Sequence, residues 1–135
     1  MKAPPFLTLD EVLALHADQI RRYGGRGGVR DLALLQSAIA TPKASFDGDF
    51  LHTTVFEMAA AYLFHIVQNH PFVDGNKRLG LMAALVFLAL NDRGLDADPD
   101  DLAELVIGVA AGRTTKSEVA VFMQAHARSG RSGEP

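Results

Sequence analysis

A base, a metal ligand, a glycine turn and two cations fall within residues 70–78, which read His70-Pro71-Phe72-Val73-Asp74-Gly75-Asn76-Lys77-Arg78. An imidazole titrates near neutrality, so His70 can take a proton from an attacking hydroxyl. Asp74 offers the hard carboxylate oxygen that Mg²⁺ prefers. Gly75 permits a tight turn and close backbone approach. Asn76 can donate its amide to an oxygen that gains charge in a transition state. Phe72 reads as an anchor that buries in the core and fixes the loop.

A nearly unbroken apolar run, Leu79 to Leu90, follows this stretch. Gly75-Asn76-Lys77-Arg78 should therefore open a buried helix. Cations there are unexpected, because the positive end of a helix dipole disfavours each by roughly 0.3–1 kcal/mol. Leu81 and Met82 supply no acidic compensation. Free backbone N–H groups at a helix start already attract anions, and Lys77 and Arg78 would extend them into a phosphate cradle. Singly, each residue has a plainer use: a helix cap for His70, an Asp-Gly turn, solvated charge for the Lys-Arg pair. A structural turn has no need of two cations at a helix's positive end, and the combination favours chemistry.

The elements that must position these groups read as helices almost throughout. Thr8-Leu9-Asp10-Glu11 is a capping box, followed by Val12, Leu13 and Ile20 at helical spacing until Gly24-Gly25. A second helix starts at Asp31 and ends before Pro42. Residues 42–49 form a loop or short hairpin, and a third helix spans about Phe50 to Gln68. The central helix ends at Asn91 with Gly94 as its C-cap. A fifth runs from Asp100 to Ala111, and Thr115-Lys116-Ser117-Glu118 is a second capping box opening a sixth, to about Ala127. The expected fold is all-α, a compact bundle of about six helices, in one domain over 1–128. Residues 129–135 are Ser/Gly-rich and expected to be a disordered tail.

At 135 residues the chain has the size of one domain with a single core. It has no Cys, which excludes a disulfide scaffold and suits a reducing cytoplasm. A net charge of −3 argues against a broad nucleic-acid surface. The N-terminal residues lack a signal-peptide core, and the longest apolar run is shorter than the ~20 residues that span a bilayer; no membrane association is expected. His65 and His70 lie on different helix faces and make no two-His metal pair. His16, His52 and His126 carry no pattern. The glycines at 24–28 lack the Gly-Lys-Ser/Thr ending of a phosphate loop.

The motif resembles the signature of the Fic/Doc superfamily, His-x-Phe-x-(Asp/Glu)-(Gly/Ala)-Asn-(Gly/Lys)-Arg, at every fixed position. The resemblance extends to Ala14-Leu15-His16, Arg22-Tyr23-Gly24-Gly25, Gly28-Val29-Arg30-Asp31, Ser37-Ala38-Ile39 and Gly108 to Gly112, covering about residues 6 to 127. Lys77 stands where adenylyl-transferring members carry Gly, and Leu81 where they carry a second Arg; both features resemble the death-on-curing toxin branch. That branch implies a fold named for the family, ATP and Mg²⁺ as cofactors, and a reversed nucleotide whose γ-phosphate passes to a threonine of elongation factor Tu. His70 would be the base and Asp74 the metal ligand, with Gly75, Asn76, Lys77 and Arg78 gripping phosphates. Many Fic enzymes carry an inhibitory helix motif in cis; the strings at Thr53 to Met58 and Thr114 to Val119 end wrongly. A small antitoxin acting in trans is therefore expected. In related enzymes the 42–49 segment is a flap that aligns the target, which makes Lys43 and Phe46 candidate contacts, although a plain exposed loop with Phe46 tucked inward also fits. Arg30 would either lean toward the active site or serve as a salt bridge or cap at the second helix. Two other functions remain open: nucleotidyl (AMP) transfer by the same residues, and a non-catalytic binding module.

Overall fold

The computed structural model describes residues 3–129. Six helices run α1 (Leu9–Tyr23), α2 (Leu32–Ala40), α3 (Val55–Asn69), α4 (Asn76–Leu90), α5 (Pro99–Ala110) and α6 (Lys116–Ala125). Thr8 and Thr115 close the two capping boxes expected from the sequence, with Glu11 and Glu118 returning the second bond. Helix α1 stops at Gly24, whose φ of 85° suits glycine. No helix among the described residues is long and apolar enough to cross a membrane.

Two helices form the centre. Helix α3 buries Ala59, Ala60, Ala61, Tyr62, Leu63 and Ile66, and α4 buries Leu79, Ala83, Ala84, Phe87 and Leu88. They cross closely at Gly80, where an added Cβ would lie 2.7 Å from Val67 Cγ2 and 3.1 Å from the Leu63 carbonyl oxygen. Tyr62 is fully buried, and its hydroxyl accepts the Leu7 N–H at 2.9 Å. Burial pushes its pKa up to about 12. Helices α1, α2, α5 and α6 surround this pair, so the polypeptide between α3 and α4 is a short connector held at one end of a helical hairpin.

Several boundaries differ from expectation. Helix α3 begins at Val55, five residues later than Phe50, because Thr54 caps it by accepting from the Glu57 N–H. Residues 41–50 make a 3₁₀ turn (Thr41–Lys43) and a hairpin of β1 (Ser45–Phe46) with β2 (Asp49–Phe50). Phe46 is 76 % exposed, which overturns the inward-tucked alternative. Gly94 is not a C-cap: Asn91 caps α4, and Gly94 lies in β3 (Arg93–Leu95). Strand β3 pairs antiparallel with β4 (Ala127–Ser129), so Ser129 is part of the fold and not of a tail. The rest of the expected tail, 130–135, lies outside the described residues.

Candidate active site

Helix α3 ends at Asn69, and His70 follows as its C-cap with φ 50° and ψ 52°. That left-handed conformation costs a residue with a Cβ roughly 1–2 kcal/mol, so something must hold it. Arg30 does: its Nε donates to the His70 carbonyl at 2.6 Å and an Nη to the Asn69 carbonyl at 3.0 Å. A cation on the last carbonyls of a helix is favoured by the dipole. Arg30 therefore caps α3, not α2, while also lining the cavity described below. The segment between α1 and α2 straps the motif loop by backbone bonds. Arg30 and Asp31 N–H groups donate to the Pro71 carbonyl at 2.7 and 3.0 Å, and the Val73 N–H donates to Gly28.

Beneath the loop, Phe72 is 1 % exposed, as an anchor should be. The His16 ring stacks on it with centroids 3.8 Å apart and planes 9° from parallel. His16 Nε2 donates to the Asp74 carbonyl at 2.8 Å. By chemical pattern alone His16 carries no signal in the sequence, although the family resemblance includes it. Its burial is legible in its spacing, four residues after the buried Val12 and three before the buried Gln19, on the inner face of α1.

Asn76 is 7 % exposed and locks the loop from within. Its Oδ1 accepts the Phe72 N–H at 3.0 Å, and its Nδ2 donates to the Phe72 carbonyl at 3.0 Å. These bonds fix which end of the amide is nitrogen. The second Nδ2 proton therefore points to His70 Nδ1, 3.2 Å away. In a neutral ring so placed, Nδ1 holds the lone pair and Nε2 the proton. Asn76 is thus engaged before any substrate arrives, where the sequence reading has it free for a reacting oxygen.

Asp74 is exposed, and each of its oxygens meets one backbone N–H: Oδ1 from Gly75 at 2.9 Å and Oδ2 from Arg26 at 3.2 Å. The Arg26 N–H first, then the Gly75 N–H and the nearby Arg78 charge, hold its carboxyl below the usual range. Gly25 is needed for this approach, since a Cβ there would sit 2.9 Å from Asp74 Oδ2. Gly75, at φ 79°, is the N-cap of α4 and provides no side-chain cap. The first N–H groups of α4 are left for an external acceptor. A cavity of about 400 Å³ opens here, lined by Arg30, His70, Phe72, Asp74, Asn76 and Lys77 among others. Arg78 does not line it. Its guanidinium lies 5.1 Å from the centre of the Tyr23 ring, a cation–π contact.

The structure therefore brings His70, Asp74, Gly75, Asn76 and Lys77 to one cavity and sets Arg78 at its margin. The remaining histidines are less scattered than the sequence suggests. His52 and His65 both meet Lys116, and His126 Nδ1 donates to the Phe122 carbonyl of α6 at 2.8 Å.

A model of the Fic/DOC family matches residues 6–88, well over half of the chain. The chain belongs to the Fic/DOC family. Among family members it is similar to Protein kinase doc of Escherichia phage P1, at 38 % identity over 115 residues, 84 % of this chain and 89 % of that protein. It is also similar to Toxin Doc of Mycolicibacterium smegmatis, at 41 % identity over 92 residues, 67 % of this chain and 71 % of that one. The family match spans the strap, the His16 contact and the whole of the motif, and the six-helix architecture is the all-α fold that the resemblance implies.

Proposed function

We propose that this protein is a Doc-type toxin that transfers the γ-phosphate of ATP to a protein hydroxyl. The observation that carries this reading is the start of α4: an uncapped helix N-terminus with Lys77 beside it, opening on a cavity that also contains His70 and Asp74. Backbone N–H groups and an ammonium are complementary to a phosphoryl group whose oxygens gain charge during transfer. In the step itself the target oxygen bonds to the γ-phosphorus, the bond to the ADP oxygen breaks, and the hydroxyl proton passes to His70 Nδ1.

Asn76 links nucleotide binding to that base. One of its amide protons is shared with His70 Nδ1 in the free protein. A phosphate oxygen that takes this proton's hydrogen bond leaves the His70 lone pair free for the hydroxyl. Arg30 keeps His70 in place throughout, because it grips the backbone carbonyl and not the ring.

Among the described residues no three His, Asp or Glu side chains converge as a metal cage. The donor set still fits Mg²⁺, which commonly binds through one carboxylate with substrate phosphates and waters. Asp74, ionised and with one lone pair on each oxygen already satisfied, would hold it. When bound, the ion would neutralise phosphate charge.

The threonine of elongation factor Tu is the target that the resemblance suggests. An antitoxin acting in trans and a cytoplasmic setting complete the reading, since the relatives are a kinase and a toxin by name. The exposed Phe46 at the tip of the β1–β2 hairpin suits a flap that meets the target. The test is label transfer from γ-labelled against α-labelled ATP to purified elongation factor Tu with Mg²⁺. Label from the γ position is expected. Label from the α position would overturn the kinase reading in favour of nucleotidyl transfer.

A further inference from the structure

Lys77 lines two cavities. One is the cavity at His70; the other is a groove of about 260 Å³ between α4 and α5, lined by Lys77, Arg78, Leu81, Ala103, Val106 and Ile107. Positions three and four apart stack on a helix surface, so 77, 78 and 81 share one face of α4 and 103, 106 and 107 share one face of α5. Two stripes thus meet with a gap between them. Val106 is buried at the floor, whereas Ile107 is 47 % exposed, which leaves the groove open to solvent on its α5 side. The walls present no polar surface, because Lys77 and Arg78 contribute only the carbon stems of their side chains. The Arg78 guanidinium lies over Tyr23 instead.

An occupant that reaches both cavities needs an anionic end and an apolar end. The first meets the uncapped N–H groups of α4 and the Lys77 ammonium; the second, past Lys77, meets carbon alone. A nucleoside triphosphate divides its polarity in this way. With its γ-phosphate beside His70, the remainder of the molecule must leave the first cavity. On the flank of the strap the motif loop is tied down, since the Val73 N–H donates to Gly28 and Asp74 accepts from the Arg26 N–H. The path over Lys77 leads into the groove. Size separates a ring from a protein partner. The lining spans one turn of each helix, about 6 Å, too short to seat an amphipathic helix whose anchors recur from i to i+7. It is also smaller than the roughly 300–1,000 Å³ that enclose a whole drug-sized ligand. One ring system is the occupant that these dimensions suit.

We propose that the groove between α4 and α5 is the nucleobase subsite of this chain, and that it takes purines without distinguishing adenine from guanine. The inference rests on the phosphoryl-transfer reading and extends it to the choice of nucleotide. The ring lies against Leu81 and Ile107 with its polar edge toward solvent, where its hydrogen bonds to water are kept. A site that hydrogen-bonds a substrate group rejects the analogue lacking it by roughly 10⁴–10⁵, whereas an apolar pocket discriminates only through contact. Adenine and guanine share one ring skeleton and differ in the polar groups on their edges, which a groove without polar surface cannot read. Purines bury more ring surface than pyrimidines and bind more tightly for that reason. GTP therefore serves as a phosphoryl donor as ATP does.

The test is isothermal titration calorimetry of the full chain with Mg²⁺ and no target protein, against the β,γ-imido analogues of ATP, GTP and CTP and against inorganic triphosphate. The two purine analogues are expected to bind within about threefold of each other, and each at least about tenfold more tightly than inorganic triphosphate, with the CTP analogue between. Ala103→Leu fills the groove from an exposed position with another good helix former, and should bring both purine analogues close to inorganic triphosphate while leaving triphosphate binding unchanged. Ile107→Ala removes one wall and should weaken the purine analogues several-fold. Thermal melting checks that both variants keep the fold. Purine analogues that bind no more tightly than triphosphate would overturn the subsite and leave the phosphate cradle standing. A preference above about tenfold for one purine would overturn the lack of discrimination. Purine binding unaffected in both variants would overturn the groove as its seat and leave that surface to a protein partner. No binding of any probe would overturn the phosphoryl-transfer reading itself, and the subsite with it.

Discussion

Helices α4 and α6 both carry a lysine in the first turn, and the two starts are built in opposite ways. At α6 the N-cap is Thr115, the third residue is Glu118, and the two close a capping box; Lys116 is bonded to two imidazoles. At α4 the N-cap is Gly75 with no side-chain bond, the third residue is Arg78, and the Lys77 side chain has neither an ion pair nor a hydrogen bond among the described residues. The α6 start is complete without a ligand. The α4 start leaves its donors and its charge unmatched, and the fold tolerates this only because the loop before it is held by other means. A cation at a helix N-terminus is therefore informative when the helix also lacks its cap.

The contrast can be broken most severely at the anchor. Phe72→Ala should destabilise the fold by roughly 3–5 kcal/mol, because it empties a buried site and removes the His16 stack. Thermal melting measures this, and an unchanged midpoint would show that the α4 start does not depend on the anchor. Next in size is Lys77→Gly, which should lower phosphoryl transfer by roughly 10²–10³-fold while leaving the melting temperature nearly unchanged. A rate within a few-fold of wild type would remove Lys77 from the transfer step.

Acid should act on the α6 start through His65, whose folded pKa is below its unfolded value. Its contribution is fully present above about pH 6.5 and is lost as the pH falls toward 4, since the unfolded chain binds the proton first. The loss from this group reaches about 2 kcal/mol at most by pH 5, with solvent screening reducing it. Urea titrations from pH 7.5 to 5 read it out, and His65→Leu should flatten the slope. The smallest effect belongs to Thr115→Ala, about 1 kcal/mol for one lost cap. The same method would detect it, and a loss above about 2 kcal/mol would mean that the cap also holds the Lys116 bridge.

Features written in a few neighbouring residues were legible in the sequence. Both capping boxes, the Gly24 stop, the buried Phe72 and the motif at the start of a buried helix are local patterns, and the structure reproduces them. What escaped depends on residues far apart in the chain. His16 meets Asp74 across 58 positions, Arg30 reaches His70 across 40, and Lys116 finds His52 across 64. No periodicity encodes such a meeting. Strand β3 was missed for a related reason: three residues containing a glycine show no alternation, and only pairing with Ala127–Ser129 makes them a strand. Asn76 was legible as a chemical group but not as a lock, because its partners are backbone atoms within its own loop.

The close crossing at Gly80 has a consequence for how the site recognises its substrate. With α3 and α4 in near backbone contact, the two helices cannot slide or rotate against each other without collision. His70 at the end of one and Lys77 at the start of the other therefore belong to a single rigid frame. Ordering them cost conformational entropy when the chain folded, and a nucleotide arriving later finds that cost already met. A frame of this kind selects a binding pose by shape, because it cannot adapt to a wrong one. Replacing Gly80 by Ala would test that rigidity without altering any group placed in the site, by forcing apart the crossing on which both ends of the site are mounted.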